Sequence, residues 1–160
     1  MACVYDEKPW TRTYPEWLSA QFPETNETIL VKFKRAAAMW PDDPCMFYFD
    51  RTITFAETEK LARATAAVLE KMGFGKGDRI LFVLQNIPQV VIASVAVWMR
   101  GGIVVPVNPM YTAKDLKHLI ADSGAKCVFC EDVLYEKSVR AAGDTSGRED
   151  PPQQIGRAHV

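Results

Sequence analysis

Residues 100–112 read RGGIVVPVNPMYT, and this stretch decides the fold. Its paired glycines suit the end of a helix and a close approach between a helix and a strand. The β-branched residues from Ile103 to Val107 predict a buried strand, and Pro109 fixes the direction in which the chain leaves it. The stretch therefore predicts a helix end, a strand and an exit into the next helix, which is a scaffold role.

The residues before this stretch predict a strand and a buried helix. Residues 79–84, RILFVL, form a continuous apolar run, as a strand buried on both faces of a parallel sheet requires. Residues 88–99 begin with a proline that suits a first helical turn and are apolar on nearly all sides. They contain only about ten uninterrupted apolar residues, whereas a membrane span needs roughly 20. We therefore expect a helix inside an α/β protein and no transmembrane segment.

The residues after the stretch continue the alternation of strands and helices. Thr112 is a suitable N-cap for a helix that ends near residue 123, residues 127–130 predict another strand, and residues 133–142 predict a further helix. The order from residue 79 onward is thus β-α-β-α-β-α, with short connections. This order predicts an α/β fold in which helices cover a parallel sheet.

The N-terminal third of the chain predicts smaller elements. Residues 1–26 are rich in Trp, Pro and Tyr without a sustained period, so we predict an irregular N-terminal arm. Asn26 is the predicted N-cap of a helix that stops before Pro41. Two short strand-like runs on either side of Asp50 and Arg51 predict a small β-hairpin.

A longer amphipathic helix is predicted over residues 55–72, with Gly73 as its C-cap. Its apolar residues recur at helical spacing and predict the face that packs on the sheet: Leu61, Ala64, Thr65, Val68, Leu69 and Met72.

Composition and charge favour one globular domain. The 160 residues are 48% hydrophobic and 24% charged, which is ordinary for such a domain. Nineteen Lys and Arg residues stand against 20 Asp and Glu residues, for a net charge of -1 without long blocks of one sign. Nucleic acid is therefore not an expected partner. The N-terminus lacks the basic and apolar regions of a secretory signal, so we expect a cytoplasmic protein.

Cys127 and Cys130 form a C-x-x-C pair, a spacing that can indicate a metal or redox site. Residues three apart in a strand point to opposite faces, so the two sulfurs would not converge on one ion. Cys3 and Cys45 are isolated and offer no second ligand pair. A buried structural strand is therefore favoured over metal or redox chemistry.

Other candidate groups also favour structural roles. The glycines of residues 73–78 resemble a phosphate-binding loop, but they end a helix and lead into a strand, which is the reverse of the required order. His118 and Ser94 lack the partners that nucleophilic or metal chemistry requires, and residues 122–124 indicate a helix ending. We predict no catalytic residue and no metal site, and cofactor-binding residues stay unassigned.

Three segments of the chain share their order and spacing with a known family. Residues 52–62, TITFAETEKLA, and residues 98–109, WMRGGIVVPVNP, resemble two core motifs, and residues 77–86, GDRILFVLQN, resemble the strand between them. These are the first two core motifs of the adenylate-forming, or AMP-binding, superfamily. Over residues 27–142 the chain is identified as a member of that superfamily.

The resemblance implies that the chain is the N-terminal part of the family's large domain. It favours acyl-CoA ligases, especially those for fatty acids, because Tyr-Thr and a helix follow Asn108-Pro109. It implies that a carboxylic acid attacks ATP to give an acyl-adenylate, from which coenzyme A displaces AMP. ATP, Mg²⁺ and coenzyme A are the implied cofactors, and a small-molecule carboxylic acid is the implied partner.

The resemblance also implies that this chain is a fragment. The family's phosphate loop, nucleotide-binding segments, hinge and catalytic lysine all follow the matching region, so no catalytic residue is carried over. We expect the fragment to be inactive, to bind the cofactors poorly, and to self-associate through apolar surface that the absent part would cover. Two alternatives stay open: another adenylate-forming ligase, such as an aryl-CoA ligase or a peptide-synthetase adenylation domain, and an α/β interaction module without chemistry.

The C-terminal tail differs from the rest of the chain. Residues 143–160 are polar, turn-rich and aperiodic, which predicts a disordered tail. Residues 155–160, IGRAHV, can be back-translated into the start of a common DNA-sequencing adaptor. We therefore hypothesise that these six residues are a sequencing artefact and exclude them from fold reasoning.

Overall fold

Short elements precede the main sheet in the structure, a computed structural model that describes residues 4–19, 25–135 and 153–154. The arm contains α1 (Val4–Glu7) and a 3₁₀ turn (Pro9–Thr13), and its described side chains are mostly exposed. Helix α2 (Ile29–Met39) begins after Thr28, whose Oγ1 accepts a hydrogen bond from the Val31 N–H at 3.3 Å. The N-cap is therefore Thr28 and not the predicted Asn26, because the threonine directly precedes the first apolar turn.

The predicted hairpin is confirmed. Strand β1 (Pro44–Tyr48) pairs antiparallel with β2 (Arg51–Thr54). Thr54 then caps α3 (Phe55–Lys71) through a capping box, since its side chain accepts from the Glu57 N–H while the Glu57 carboxylate accepts from the Thr54 N–H. The hairpin and the long helix are thus joined without a flexible linker.

The buried face of α3 matches the predicted face only in part, because Leu69 is buried as predicted but other members of that face are not. Leu61 and Val68 are 47% and 50% exposed. The side chains that the helix buries are mostly small: Thr58, Ala62, Ala66 and Leu69. The reason is the partner of the helix, because α3 packs in the same core cluster as the next helix of the chain, and small side chains let two helix backbones approach closely. The Thr58 hydroxyl is satisfied in this position because it donates to the Thr54 carbonyl at 2.8 Å.

Parallel strands form the main sheet in the order β4-β3-β5-β6. The chain runs in turn through β3 (Arg79–Val83), α4 (Pro88–Met99), β4 (Ile103–Val107), α5 (Ala113–Ser123), β5 (Cys127–Cys130) and the single turn α6 (Asp132–Leu134). The two-residue strand β6 (Gln153–Gln154) pairs parallel with β5. The rest of the predicted helix over 133–142, from residue 136 on, and the rest of the predicted tail lie outside the described residues.

Helices cover both faces of this sheet. Ile80 and Phe82 of β3 pack in the cluster formed with α3 and α4, whereas Leu81 and Val83 pack in the cluster formed with α5. Alternate residues of a strand point to opposite faces, so a strand covered on both sides must be apolar throughout. The predicted α/β fold with a parallel, helix-covered sheet is confirmed.

The glycine pair that ends α4 has the predicted packing role. Gly101 has φ +71°, a left-handed conformation that favours glycine after a helix. A Cβ on Gly102 would lie 2.7 Å from Cζ of Phe74 and closer still to Cε1, and the Phe74 ring is 1% exposed. The strand that follows, β4, contains the exposed Pro106 at the edge of the sheet. The motif therefore joins α4 to β4 at a distance that only glycine allows.

Candidate functional site

The connections that leave β3 and β4 diverge to opposite faces of the sheet. The chain after β3 continues into α4, which packs on one face, and the chain after β4 continues into α5, which packs on the other. The two strands are neighbours and run in parallel. Their carboxyl ends lie side by side at the end of the sheet outside which ligands of open α/β proteins bind.

A cleft of about 660 Å³ lies at this point, on the face covered by α4. Val90, Ser94 and Trp98 line one of its walls. They are spaced four residues apart, so they form one stripe along α4. The volume falls within the range of roughly 300–1,000 Å³ that small-molecule sites occupy.

The opposite wall comes from the two strands and their exits: Phe82, Leu84, Asn86, Val104, Pro106, Val107, Asn108 and Pro109. Among the described residues that line the cleft, none carries a charge. The interior is apolar, and the side-chain amides of the two asparagines lie beyond the ends of the strands. This arrangement suits an apolar ligand with a polar end better than it suits a nucleotide phosphate.

Hydrogen bonds fix both strand exits. The Asn108 Oδ1 accepts from the Met110 N–H at 2.9 Å, so the amide nitrogen of Asn108 is the group that can donate to a ligand. The Gln85 N–H donates to Oε1 of Glu131 at 2.9 Å, and Glu131 is only 8% exposed. This buried carboxylate links the exit of β3 to the end of β5 and holds the segment that carries Asn86.

The glycine-rich loop over residues 73–78 lies at the other end of the sheet, before β3. Oδ2 of Asp78 accepts from the Gly75 N–H at 2.9 Å and from Nζ of Lys126 at 2.8 Å. Nζ of Lys126 also donates to the Gly73 carbonyl at 2.6 Å. The hydrogen bond from Lys126, followed by that from Gly75, lowers the pKa of Asp78 from its ordinary value of 3.8. The loop therefore uses its polar groups to close itself against the start of β5.

We expect Asp78→Asn to lower the free energy of unfolding at pH 6 by about 1 kcal/mol or less, as for other partly exposed ion pairs. The folded-state pKa of Asp78 is depressed, so its contribution is present above pH 3.8 and is lost as the pH falls through the lower folded-state pKa. Urea unfolding of both chains at several pH values measures this. The difference between them should shrink towards low pH, and the exposed Asp42→Asn is the matched control. A difference independent of pH would contradict the assignment.

The other groups weighed from the sequence are spread over the structure. Cys127 packs on the α4 face and Cys130 on the α5 face, so the two sulfurs do not converge. Burial raises the pKa of the Cys127 thiol. His118 is exposed on α5, and the Ser94 hydroxyl donates to the Val90 carbonyl at 2.7 Å. Of these, only Ser94 lies at the cleft.

Over residues 4–19 and 25–135, no group of three or more His, Cys, Asp or Glu side chains is placed to hold a metal ion. No described helix has both the length and the hydropathy that a bilayer span requires.

The sequence model of the AMP-binding enzyme family matches residues 33–156. The chain belongs to this family. Its long-chain-fatty-acid–CoA ligase relative from Bacillus subtilis is 33% identical over 137 residues, which are 86% of this chain and 24% of the relative. The rice (Oryza sativa subsp. japonica) 4-coumarate–CoA ligase 2 is 36% identical over 66% of this chain and 19% of that protein. The predicted resemblance is confirmed.

A solved structure shows the same fold. The benzoate CoA ligase from Burkholderia xenovorans LB400 superposes with a TM-score of 0.69 at 22% identity, over 74% of this chain and 24% of that one. This family member thus spans about a quarter of the length of the relatives it matches.

The cleft was not predicted, although both of its asparagines belong to segments that carry the family resemblance. Asn86 and Asn108 follow the carboxyl ends of two neighbouring strands. Polar residues in that position are a usable signal, because ligands bind outside the carboxyl ends of parallel strands. The signal becomes specific only when the packing of α4 against the two strands is known.

Proposed function

We propose that this chain is the N-terminal part of an ATP-dependent, AMP-forming acyl-CoA ligase that activates fatty acids. The observation that carries the proposal is the 33% identity to a long-chain-fatty-acid–CoA ligase over 86% of the chain. In this proposal, residues 1–26 are an arm, residues 27–142 are part of the large domain, and residues 143–160 are a tail.

The proposed reaction has two steps. The fatty acid carboxylate attacks the α-phosphorus of ATP and releases pyrophosphate, and the thiol of coenzyme A then attacks the acyl-adenylate carbonyl and releases AMP. The whole enzyme uses Mg²⁺ to offset the phosphate charge and works in the cytoplasm. The described residues supply scaffold and the cleft, so the groups that bind nucleotide and metal come from the roughly three quarters of the relatives' length beyond this chain.

The purified 160-residue chain is expected to catalyse no palmitate-dependent exchange of labelled pyrophosphate into ATP. The Bacillus subtilis ligase under the same conditions is the positive control. Exchange that rises in proportion to the concentration of the chain would contradict the proposed inactivity of the fragment.

A protein in which the reading frame continues past residue 142 tests the activity itself. It should form AMP from ATP and coenzyme A when palmitate is added. If such a protein forms no AMP with any carboxylic acid, the proposed function is wrong.

An aryl-CoA ligase is the second candidate, and the 36% identity to a 4-coumarate–CoA ligase favours it. The two candidates differ in substrate and not in reaction. Comparison of kcat/KM for palmitate and for 4-coumarate in the longer protein separates them.

A further inference from the structure

We propose that Glu131 is a positioning residue: its carboxylate reaches from the start of α6 to the exit of β3 and thereby sets the place of the Asn86 side chain beside the cleft. The inference goes beyond the proposed function, because it concerns how the wall of the cleft is held and not which ligand the cleft binds.

The ladder between β3 and β5 ends one residue before Glu131. Its last pair is Val83 and Cys130. The Glu131 carbonyl then accepts from two N–H groups of the turn that follows, at 3.0 and 3.2 Å. A carbonyl oxygen has two lone pairs, so this one has no further capacity to continue the ladder. The carboxylate takes its place, because Oε1 of Glu131 accepts from the Gln85 N–H at 2.9 Å.

Burial commits the Glu131 side chain to this bond. Glu131 is 8% exposed, and a buried carboxylate is costly unless hydrogen bonds replace its contacts with water. Glu131 also directly precedes α6, but its side chain makes no capping hydrogen bond with that helix. The carboxylate is therefore directed across the sheet, to an N–H group 46 residues earlier in the chain.

Asn86 directly follows the residue that this bond holds. The Gln85 carbonyl accepts from the Ile87 N–H at 2.9 Å, and Pro88 begins α4. The exit from β3 to α4 is thus a tight turn that Glu131 anchors at Gln85. Asn86 lines both the cleft and a smaller cavity of about 230 Å³ next to the β1–β2 hairpin. A displacement of Gln85 would therefore move Asn86 relative to both cavities.

Amide hydrogen exchange in the ¹⁵N-labelled 160-residue chain tests the proposal. In the wild-type chain the Gln85 amide should be protected from exchange. Glu131→Ala removes its acceptor, so the Gln85 amide should exchange about tenfold faster or more, relative to the Leu81 amide of the same chain. The side-chain amide signals of Asn86 should shift at the same time. Leu81 is the reference because it lies fully buried within β3, so its exchange reports the stability of the sheet.

Two further substitutions at Glu131 separate positioning from a general loss of stability. Glu131→Gln keeps an oxygen acceptor at the same reach and should preserve most of the protection of the Gln85 amide. Glu131→Asp keeps the charge but shortens the side chain by a methylene group, so this variant should lose the protection. Glu131→Asp also replaces Glu131→Ala in the experiment if the alanine variant does not fold.

Glu57→Ala is the matched control. The Glu57 carboxylate likewise accepts from a backbone N–H, that of Thr54 at 3.0 Å, but it does so at the start of α3. Its loss should leave exchange of the Gln85 amide unchanged relative to Leu81 and should leave the Asn86 signals in place.

The inference is overturned if the Gln85 amide of the wild-type chain is unprotected. Faster exchange by the same factor at Gln85 and Leu81 in Glu131→Ala would also overturn it, because it would show a purely structural role. Equal loss of protection in Glu131→Gln and Glu131→Ala would show that the acceptor does not hold Gln85. Faster exchange at Gln85 without a shift of the Asn86 signals would show that the bond does not set the place of Asn86.

Discussion

Leu69→Ala is expected to lower the free energy of unfolding by about 2–5 kcal/mol, the largest effect that we predict. Leu69 is 1% exposed and packs in the cluster that joins α3, α4 and the sheet. Its replacement removes apolar contacts and leaves a cavity that the surrounding helices cannot fully close. Urea unfolding followed by circular dichroism measures the change.

Val68→Ala is the matched control for this prediction. Val68 is the neighbouring residue on α3 but is 50% exposed, so its truncation is expected to change stability by about 0.5 kcal/mol or less. The pair of variants also tests which face of α3 is buried. Equal losses at the two positions would contradict the observed packing.

Gly102→Ala is expected to lower the free energy of unfolding by about 1–3 kcal/mol through overpacking. The new Cβ would lie 2.7 Å from Cζ of Phe74, which is nearer than atoms in contact can approach. Because the Phe74 ring is 1% exposed, it cannot turn away into solvent. Either the ring or the end of α4 must move.

Gly75→Ala controls for the loss of a glycine as such. A Cβ there would meet no heavy atom within 4 Å, and the backbone is not in the left-handed region. Gly75→Ala should therefore leave the free energy of unfolding unchanged or raise it slightly. A double-mutant cycle with Phe74→Leu tests the cause, since the shorter side chain should make Gly102→Ala less costly. Additive losses would show that the Phe74 ring is not responsible.

Local patterns in the sequence were enough to predict most elements of the fold. The apolar run before Leu84 is of strand length and has no alternation, which is typical of a strand covered on both faces. Thr112 caps α5 through its hydrogen bond from the Asp115 N–H, a short-range interaction that does not depend on the rest of the fold. Such elements are predictable because neighbouring residues determine them.

The buried face of α3 and the cleft depend on partners far along the chain. The prediction placed large side chains such as Leu61 and Val68 inward, but contact with α4 selects Ala62 and Ala66. The cleft lies between α4 and the strands that this helix covers, an arrangement that no local pattern specifies. Tertiary packing therefore decided the features that matter most for binding.

Pro106 restricts the edge of the main sheet at which a further strand can pair. This residue pairs in register with Phe82, and within the described strands β4 forms one edge of the sheet. A proline offers no N–H, so a further strand beside β4 would meet a gap in its hydrogen-bond ladder. The outer side of β5, by contrast, already accepts Gln153–Gln154 in parallel register. Extension of the sheet is thus directed away from β4, and edge-to-edge pairing is disfavoured on that side.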